Sequence, residues 1–373
     1  MKKADIIHYV YQKIVKPFFF CIDAERIHSH MLAFGSLLGS FRIFRAITRF
    51  FFFYSHPSLE QKICNINFLN PIGLAAGFDY NAQLPQILSS VGFGFNTVGT
   101  ITNMPYGGNP KPMLGRLPKS RSLLVNKGFK NDGSHTLSKK LKKYSLEIPL
   151  GISIGRTNSA KLKTVKESIA DIIAAFLIFE KEGIQNSYYE LNISCPNLLF
   201  AVESFSDIQN LDALLQEIQK LQLQKPLFIK MPLERSNKET QILLEKICEY
   251  PIIKGVIFGN LQKDRNDPTF DKNEVLKSSK GYFSGKPCEK RSNELIKLTY
   301  QQCAKRLVII GCGGVFNAQD AYVKIRFGAS LVQMITGMIY EGPQIVGDIN
   351  RGLVELMHRE GFTHISQVIG VDS

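Results

Sequence analysis

From residue 60 onward, short apolar or β-branched runs alternate with longer stretches whose apolar residues recur at helical spacing. Eight runs predict strands, at residues 72–76, 96–99, 150–154, 189–193, 227–230, 255–258, 307–310 and 330–334. Helical patterns separate most of them, at 83–91, 133–144, 164–182, 207–222, 238–248, 292–304 and 317–326. Alternation of strands and helices is typical of a parallel sheet, and eight repeats favour closure. The pattern therefore predicts an α/β fold, a (β/α)8 TIM barrel.

The first 56 residues differ in composition from the rest of the chain. They hold ten of the 26 Phe residues, and eight Lys or Arg against three acidic residues. Residues 23–39 predict a helix with Asp23 as its N-cap. Basic and aromatic residues on short amphipathic helices are typical of an in-plane membrane anchor, whereas a helical cap over the barrel is the simpler alternative. We therefore divide the chain into a helical module, 1–56, and a barrel, 57–373.

Composition excludes several classes of protein. The net charge of +14 is compatible with anionic ligands or an anionic membrane, but the absence of Trp, basic blocks and nucleic-acid motifs argues against nucleic acid. The seven cysteines include no C-x-x-C pair and the histidines do not cluster, so neither a metal site nor a disulfide framework is expected. No apolar run of about 20 residues predicts a spanning helix, and the amino terminus does not read as a signal peptide.

The most informative chemistry follows the predicted strand 189–193, where the chain reads Ser194-Cys195-Pro196-Asn197. A thiol at the end of a buried strand can be a nucleophile or a proton acceptor, or simply an inert packed residue. Lys230 ends another strand, and its ammonium suits either the negatively charged edge of a flavin or a Schiff base of the aldolase type. The segment Gly311-Cys312-Gly313-Gly314 and Thr336, after the last two strands, indicate a phosphate.

Together these segments resemble the dihydroorotate dehydrogenase family, in particular its membrane-associated, quinone-using class 2. The resemblance covers nearly the whole chain, and Lys230 belongs to it. The matching stretches are FCIDAERIH at 20–28, NPIGLAAGFD at 70–79, VGTIT at 98–102, GNPKP at 108–112, RLP at 116–118, NISCPN at 192–197, FSGKP at 283–287 and GCGG at 311–314.

The resemblance implies a set of site residues around FMN. Cys195 falls on the position of the catalytic base. The flavin-contacting positions correspond to Ala76, Gly77, Thr100, Asn192, Lys230, Gly285, Gly314 and Thr336. The positions that hold the pyrimidine ring correspond to Asn126, Gly128, Phe129, Asn192, Asn197 and Asn260.

The resemblance also implies a reaction and a location. Dihydroorotate is oxidised to orotate in de novo pyrimidine biosynthesis: Cys195 takes the C5 proton, and C6 delivers hydride to flavin N5. Lys230 stabilises negative charge on the flavin, and a quinone is the final electron acceptor. The Phe-rich helices of the module 1–56 are then expected to form the quinone entrance. They would contact the cytoplasmic side of the cell membrane, which makes the protein peripheral.

Several residues depart from the family pattern. Class 2 usually has Ser as its base where this chain has Cys195, and a lysine where it has Tyr80. Ser153 and Gly259 also differ, and the loop 126–129 is one residue short. A hypothesis follows: Lys127 or Lys130 replaces the missing cation beside Tyr80.

The departures leave other functions open. One is a related flavin oxidoreductase that acts on another dihydropyrimidine or cyclic imide. Another is a catalytically weak flavin-binding or membrane-binding protein that has kept only the fold.

Overall fold

The computed structural model describes residues 3–200, 205–278 and 280–373. Its helices are α1 (Lys3–Val10), α2 (Lys16–Cys21), α3 (Ala24–Ser40), α4 (Arg42–Phe52), α5 (Leu88–Val91), α6 (Ser134–Leu141), α7 (Val165–Glu182), α8 (Ile208–Lys220), α9 (Asn237–Cys248), α10 (Lys272–Leu276), α11 (Glu289–Cys303), α12 (Ala318–Arg326), α13 (Thr336–Glu341) and α14 (Ile345–Arg359). Its strands are β1 (Gln61–Ile63), β2 (Ile66–Phe68), β3 (Ile72–Leu74), β4 (Phe95–Ile101), β5 (Leu114–Leu117), β6 (Ser122–Val125), β7 (Leu150–Ile154), β8 (Tyr188–Asn192), β9 (Leu227–Lys230), β10 (Ile253–Phe258), β11 (Tyr282–Gly285), β12 (Val308–Cys312) and β13 (Leu331–Met334).

Eight parallel strands form a closed barrel, which confirms the predicted fold class. Around the barrel the order is β3, β4, β7, β8, β9, β10, β12 and β13, and β13 pairs with β3 to close the ring. Each of these strands overlaps one of the eight predicted runs. The register places Asn192 on β8 opposite Lys230 on β9. The carboxyl ends of all eight strands therefore meet at one rim, where barrel enzymes carry their sites.

The other end of the barrel is plugged by aromatic side chains. Phe95 packs edge-on against Phe68 with ring centroids 5.4 Å apart, and Tyr188 packs edge-on against Phe228 at 5.6 Å. Phe68 comes from the antiparallel hairpin β1–β2, which precedes the barrel. Since these rings fill the amino-terminal end, the carboxyl-terminal rim is the open one.

The prediction of a helix over 83–91 is wrong in its first half, because the helix there spans only Leu88–Val91. The buried Asp79 carboxylate accepts hydrogen bonds from the backbone N–H groups of Gln83 and Leu84, at 2.8 Å each. Pro85 follows and has no N–H to give a helix. The side chain of Asp79 therefore holds residues 83–87 as a turn.

A three-stranded antiparallel sheet of β5, β6 and β11 was not predicted. Strand β6 pairs with both β5 and β11, although β11 follows it in the chain by more than 150 residues. The strands are four residues long, too short to stand out in the hydrophobic pattern. The sheet contributes Leu114, Leu123, Val125 and Ser284 to the wall above the rim.

The amino-terminal module is helical, as the sequence predicts for residues 23–39. The Asp23 side chain accepts hydrogen bonds from the N–H groups of Glu25 and Arg26, which confirms its role as the N-cap of α3. Residues 1 and 2 of the predicted module lie outside the described residues. Within the described part, no single helix is long and apolar enough to cross a membrane. Helices α3 and α4 reach that length and composition together, but they bend by 110° at their junction.

Candidate active site

A cavity opens at the carboxyl-terminal rim of the barrel. The residues assigned from the sequence that line it are Ala76, Gly77, Thr100, Gly128, Phe129, Asn192, Cys195, Asn197, Lys230, Asn260, Gly285, Gly314 and Thr336. Residues more than 250 positions apart in the chain therefore converge on one space.

Cys195 lies in the turn after β8 and faces this cavity. Burial raises the pKa of its thiol to about 11, although a hydrogen bond from the backbone N–H of Asn197 and the positive charges of Lys230 and Lys263 act in the opposite direction. The thiol is therefore protonated at neutral pH. It can act as a base only through the small fraction that is ionised, or by passing its own proton to another acceptor as it takes one from the substrate.

The amide and hydroxyl groups of neighbouring strand ends form one hydrogen-bonded network. Asn192 donates to the Thr100 hydroxyl at 2.9 Å, and Asn260 donates to the Ser194 hydroxyl at 2.7 Å. Ser194 in turn donates to the backbone carbonyl of Lys230 at 3.0 Å. Because the ends of β4, β8, β9 and β10 are tied together, their polar atoms keep fixed directions towards the cavity.

Asn109 supports a second group of amides and was not identified from the sequence. Its side chain donates to the Asn126 side-chain oxygen at 3.0 Å and to the Asn197 carbonyl at 2.9 Å. The Asn197 side chain donates to the Val125 carbonyl at 3.0 Å. Asn126 thus joins the hydrogen bonds that hold Asn197, whereas Asn197 itself lines the cavity. Asn109 lies in the GNPKP stretch, one of the motifs that carry the family resemblance, but that motif did not predict a role for it.

Lys230 is the buried cation of the cavity floor. Its side chain is 5 % exposed. Among the residues that the structure describes, its ammonium donates no hydrogen bond, and its backbone carbonyl is the group that Ser194 contacts. A buried ammonium without such a partner is costly. Lys230 is thus suited to a negatively charged or strongly accepting atom of a ligand.

The far wall of the cavity is built from glycines and hydroxyl groups. Gly313 and Gly314 have φ values of 104° and 75°, and a Cβ atom at Gly314 would lie 2.3 Å from Glu289. Gly285 also has a positive φ, of 89°, and a Cβ there would lie 2.8 Å from Thr336. The hydroxyl groups of Ser284 and Thr336 are 2.8 Å apart. Exposed backbone N–H groups and hydroxyls together suit phosphate oxygens.

The loop after β6 brings Lys127 to the cavity beside the amino-terminal module. The Lys127 ammonium lies 3.3 Å from His28 Nδ1 and 3.4 Å from the Tyr80 hydroxyl. Burial lowers the pKa of Lys127 to about 8. Lys130 instead forms an ion pair with Glu25 of α3 at 3.3 Å. The structure therefore distinguishes the two lysines of the hypothesis, because only Lys127 contacts Tyr80.

His28 also lines this cavity and was not identified as a site residue, since no pattern links α3 to the rim. Its Nε2 lies 2.9 Å from the Phe78 carbonyl, which fixes Nε2 as the protonated nitrogen and leaves Nδ1 to accept from Lys127. Burial first, and the charge of Lys127 second, lower the pKa of His28 to about 3. The imidazole is therefore neutral, and Lys127 has two neutral partners here.

Comparison with known proteins identifies the family to which this fold belongs. Residues 58–357 match the family model described as dihydroorotate dehydrogenase. The chain belongs to the dihydroorotate dehydrogenase family. This membership bears out the resemblance carried by the short motifs, and it argues against the aldolase reading of Lys230.

Relatives match almost from end to end. The chain is 32 % identical to the dihydroorotate dehydrogenase (quinone) of Trichodesmium erythraeum, over 97 % of this chain and 98 % of the relative. It is 33 % identical to the protein of the same name from Gloeobacter violaceus, over 96 % and 98 %. Among solved structures, the dihydroorotate dehydrogenase of Eimeria tenella in complex with ferulenol aligns with a TM-score of 0.82 at 25 % identity, over 94 % of this chain and 96 % of that one.

Family membership implies a flavin, and the cavity fits one. The Lys230 ammonium, which has no hydrogen-bond partner among the described residues, would suit the electron-rich edge of an isoalloxazine ring. A Cβ atom on Gly77 would meet nothing closer than 3.8 Å, so the space above this residue is open. At Gly285 and Gly314 a Cβ atom would lie only 2.4 Å from the Arg121 carbonyl oxygen and 2.3 Å from Glu289, so close packing of this wall requires glycine at both positions. Ala76, Gly77, Thr100 and Asn192 would then border the ring, and the glycine and hydroxyl wall would hold the phosphate.

Proposed function

We propose that this protein oxidises dihydroorotate to orotate in de novo pyrimidine biosynthesis, with FMN as the hydride acceptor and a quinone as the final electron acceptor. One observation carries the proposal: the Cys195 thiol, the Lys230 ammonium and a hydrogen-bonded network of asparagines all line one cavity. Similarity to quinone-type relatives over 97 % of the chain supports it. When bound, the flavin supplies the hydride acceptor and passes two electrons to the quinone.

In this proposal Cys195 is the base, and its thiolate, which is a small fraction of the resting site, receives the proton that leaves the substrate carbon. Its thiol is neutral in the resting site, since burial raises its pKa to about 11. The positive charge of Lys230 favours the ionised thiol, although less strongly than burial opposes it. Lys230 has a second role, because its ammonium faces negative charge that develops at the cavity floor.

The amides fix the orientation of the substrate ring. Asn192, Asn197 and Asn260 are held by hydrogen bonds on one side and line the cavity on the other. Such prepositioned donors and acceptors select a flat ring with alternating carbonyl and N–H groups. Gly128 and Phe129 are proposed to border the same ring from the loop above.

We assign the substrate carboxylate to Lys127. The Lys127 ammonium contacts two neutral groups, His28 and Tyr80. The carboxylate that acts on it, Glu25, is paired with Lys130 and offsets only part of the cost of burial. A carboxylate would relieve that cost, and a charge-assisted hydrogen bond of this kind contributes roughly 1.5–3 kcal/mol. Lys130 is a poor candidate for the same role, since Glu25 already neutralises it.

The quinone is proposed to enter between the barrel and the amino-terminal helices. The cavity wall on that side is apolar, with Leu114, Leu123, Val125 and Ile339, and His28 of α3 also lines the cavity. Apolar side chains of α4 stand exposed on the same module. We therefore propose a peripheral protein whose module 1–56 contacts the cytoplasmic side of the cell membrane, while residues 57–373 hold FMN.

The visible spectrum of the purified protein tests the proposal. It should show bound FMN, bleach on anaerobic addition of dihydroorotate and recover its colour with a ubiquinone analogue. A colourless protein that does not take up added FMN would contradict the assigned cofactor. Colour that persists with dihydroorotate would contradict the assigned substrate, and bleaching without recovery would contradict the assigned acceptor.

One observation favours a second candidate, a flavin oxidoreductase acting on an uncharged dihydropyrimidine. Tyr80, not a lysine, follows the GFD stretch, and its hydroxyl already contacts Lys127. Dihydrouracil lacks the carboxylate and is otherwise the same ring. Faster bleaching by dihydrouracil than by dihydroorotate would favour the second candidate.

A further inference from the structure

A polar cluster built around Glu190 lies inside the barrel, one layer below the cavity floor. The Glu190 side chain has no exposed surface. Its Oε1 accepts hydrogen bonds from the Thr97 hydroxyl and from the Gln333 amide, both at 2.6 Å. The Tyr188 hydroxyl lies 2.8 Å from the Thr97 hydroxyl. Three strands, β4, β8 and β13, thus bring polar groups to one carboxyl group in the middle of the core.

Glu190 and Lys230 are neighbours on the inner face of the barrel. On strands β8 and β9, Glu190 is opposite Phe228 and Asn192 is opposite Lys230. Because side chains alternate between the two faces of a strand, Glu190 and Lys230 point inward at diagonal positions. The Lys230 ammonium has no hydrogen-bond partner among the described residues, and neither has the second carboxyl oxygen of Glu190, Oε2.

Opposing influences act on the protonation of Glu190. Burial is the strongest influence and raises the pKa of Glu190 above its ordinary value, whereas the positive charge of Lys230 and the hydrogen bonds from Thr97 and Gln333 offset only part of that rise. The titratable groups that face it are Lys230 and Tyr188, and burial raises the pKa of the Tyr188 phenol, which is therefore neutral. The charge state of Glu190 thus depends on how strongly Lys230 is engaged by something else.

We propose that Glu190 is a proton-binding positioning residue of this site. It is a carboxylate that balances Lys230 while the cavity floor carries no negative charge, and it becomes a carboxylic acid when such a charge arrives. One proton from solvent binds to a Glu190 oxygen, and no other bond of the protein changes. This inference rests on the proposed function, in which dihydroorotate supplies two electrons to bound FMN next to Lys230.

The variant Glu190→Gln removes the titratable charge at this position but keeps the size and packing of the side chain. The amide oxygen of Gln can still accept from Thr97 and Gln333, and its NH2 group takes the position of Oε2, which has no partner to lose. The matched control is Thr97→Val, which removes the Thr97 hydroxyl and its contacts with Glu190, Tyr188 and Gln333 but keeps the acid. A purely structural role would make the control behave like the Gln variant.

The decisive measurement is the midpoint potential of bound FMN as a function of pH. At low pH, where Glu190 is protonated in both redox states, the wild type and Glu190→Gln should have the same potential. As the pH rises, the wild-type potential should become the more negative of the two, because its carboxylate opposes the arrival of negative charge. The wild-type potential should also fall more steeply with pH than that of Glu190→Gln, by up to the slope expected for one additional proton taken up per two electrons. If the difference between the two midpoint potentials is the same at every pH, or is zero, the proposal is overturned.

A second measurement needs no variant. The infrared difference spectrum between reduced and oxidised wild-type protein should gain a carbonyl band of a buried carboxylic acid, and Thr97→Val should keep it with a shifted frequency. Absence of this band in the wild type would overturn the proposal even if Glu190→Gln does not fold. Failure of the proposed function would look different. In that case the wild-type protein itself would bind no FMN, or its bound FMN would not be reduced by dihydroorotate.

Discussion

Charged side chains are usually exposed and apolar ones buried, and the barrel rim and the amino-terminal module depart from this rule in opposite ways. At the rim, charged side chains are buried: Lys230 and Lys127 are 5 % and 8 % exposed. In the module, large apolar side chains are exposed: Phe50 and Ile43 reach 73 % and 65 %. Of the 22 exposed large hydrophobic side chains in the described residues, 14 lie before residue 57.

Both departures indicate a partner of matching chemistry. A buried cation needs an anion or an electron-rich ligand, and an exposed apolar surface needs lipid or another protein. The two regions also touch, because His28 and Glu25 of α3 hold the loop that carries Lys127 and Lys130. The module is therefore part of the site that it covers.

The largest effect is expected from removing the thiol at the rim. Cys195→Ala should slow the bleaching of the flavin by dihydroorotate by roughly 10²- to 10⁴-fold, because a positioned base is lost, while the yellow colour remains. In the wild type the bleaching rate should rise with pH towards the thiol pKa of about 11. Stopped-flow absorbance measures both. Cys248→Ala, at the end of α9, is the matched control. An unchanged rate in Cys195→Ala would remove Cys195 from the mechanism.

Stability should separate a buried phenylalanine from an exposed one. Phe95→Ala removes a ring with no exposed surface and should lower the free energy of unfolding by about 3–5 kcal/mol. Phe50→Ala, in α4, should change it by less than about 0.5 kcal/mol. Denaturant titrations in detergent-free buffer measure both. Equal losses would mean that the α4 surface is packed in the free protein and would break the comparison.

Orotate binding tests the buried cation of the loop. Lys127→Met should weaken orotate binding about 10- to 150-fold, the equivalent of roughly 1.5–3 kcal/mol. Lys130→Met, whose lysine is paired with Glu25, should change it much less. In the wild type, affinity should fall as the pH rises above about 8, where unliganded Lys127 loses its proton. Equilibrium titration of the flavin spectrum measures these constants, and equal effects of both substitutions would reject the assignment.

The smallest effect is expected at the exposed surface of the module. Ile43→Ser with Phe50→Ser should reduce binding to vesicles of anionic phospholipid by about tenfold, since side chains that lie at the membrane interface gain only part of the roughly 1.5–3 kcal/mol of full burial. Vesicle sedimentation measures the partition. Leu276→Ser, at the most exposed leucine of the barrel, is the control. No difference between the two variants would favour a helical cap over a membrane anchor.

Much of the site could be predicted because strand ends are local features. Cys195 and Lys230 each follow or end an apolar run, and parallel strands in a barrel bring their carboxyl ends to one rim whatever lies between them. Family motifs added the glycines. His28, Asn109 and Glu190 were not assigned, because their roles depend on residues 99, 88 and 143 positions away.

The sequence by itself determined the alternation of strands and helices, the barrel and the rim residues, since these follow from hydrophobic period and chain order. Tertiary structure decided which of two nearby lysines contacts Tyr80, what neutralises the other one, and that an acid lies beneath Lys230. The reason is physical. Hydrophobic periodicity is read within a few residues, whereas the charge state of a buried group depends on every strand and helix that surrounds it.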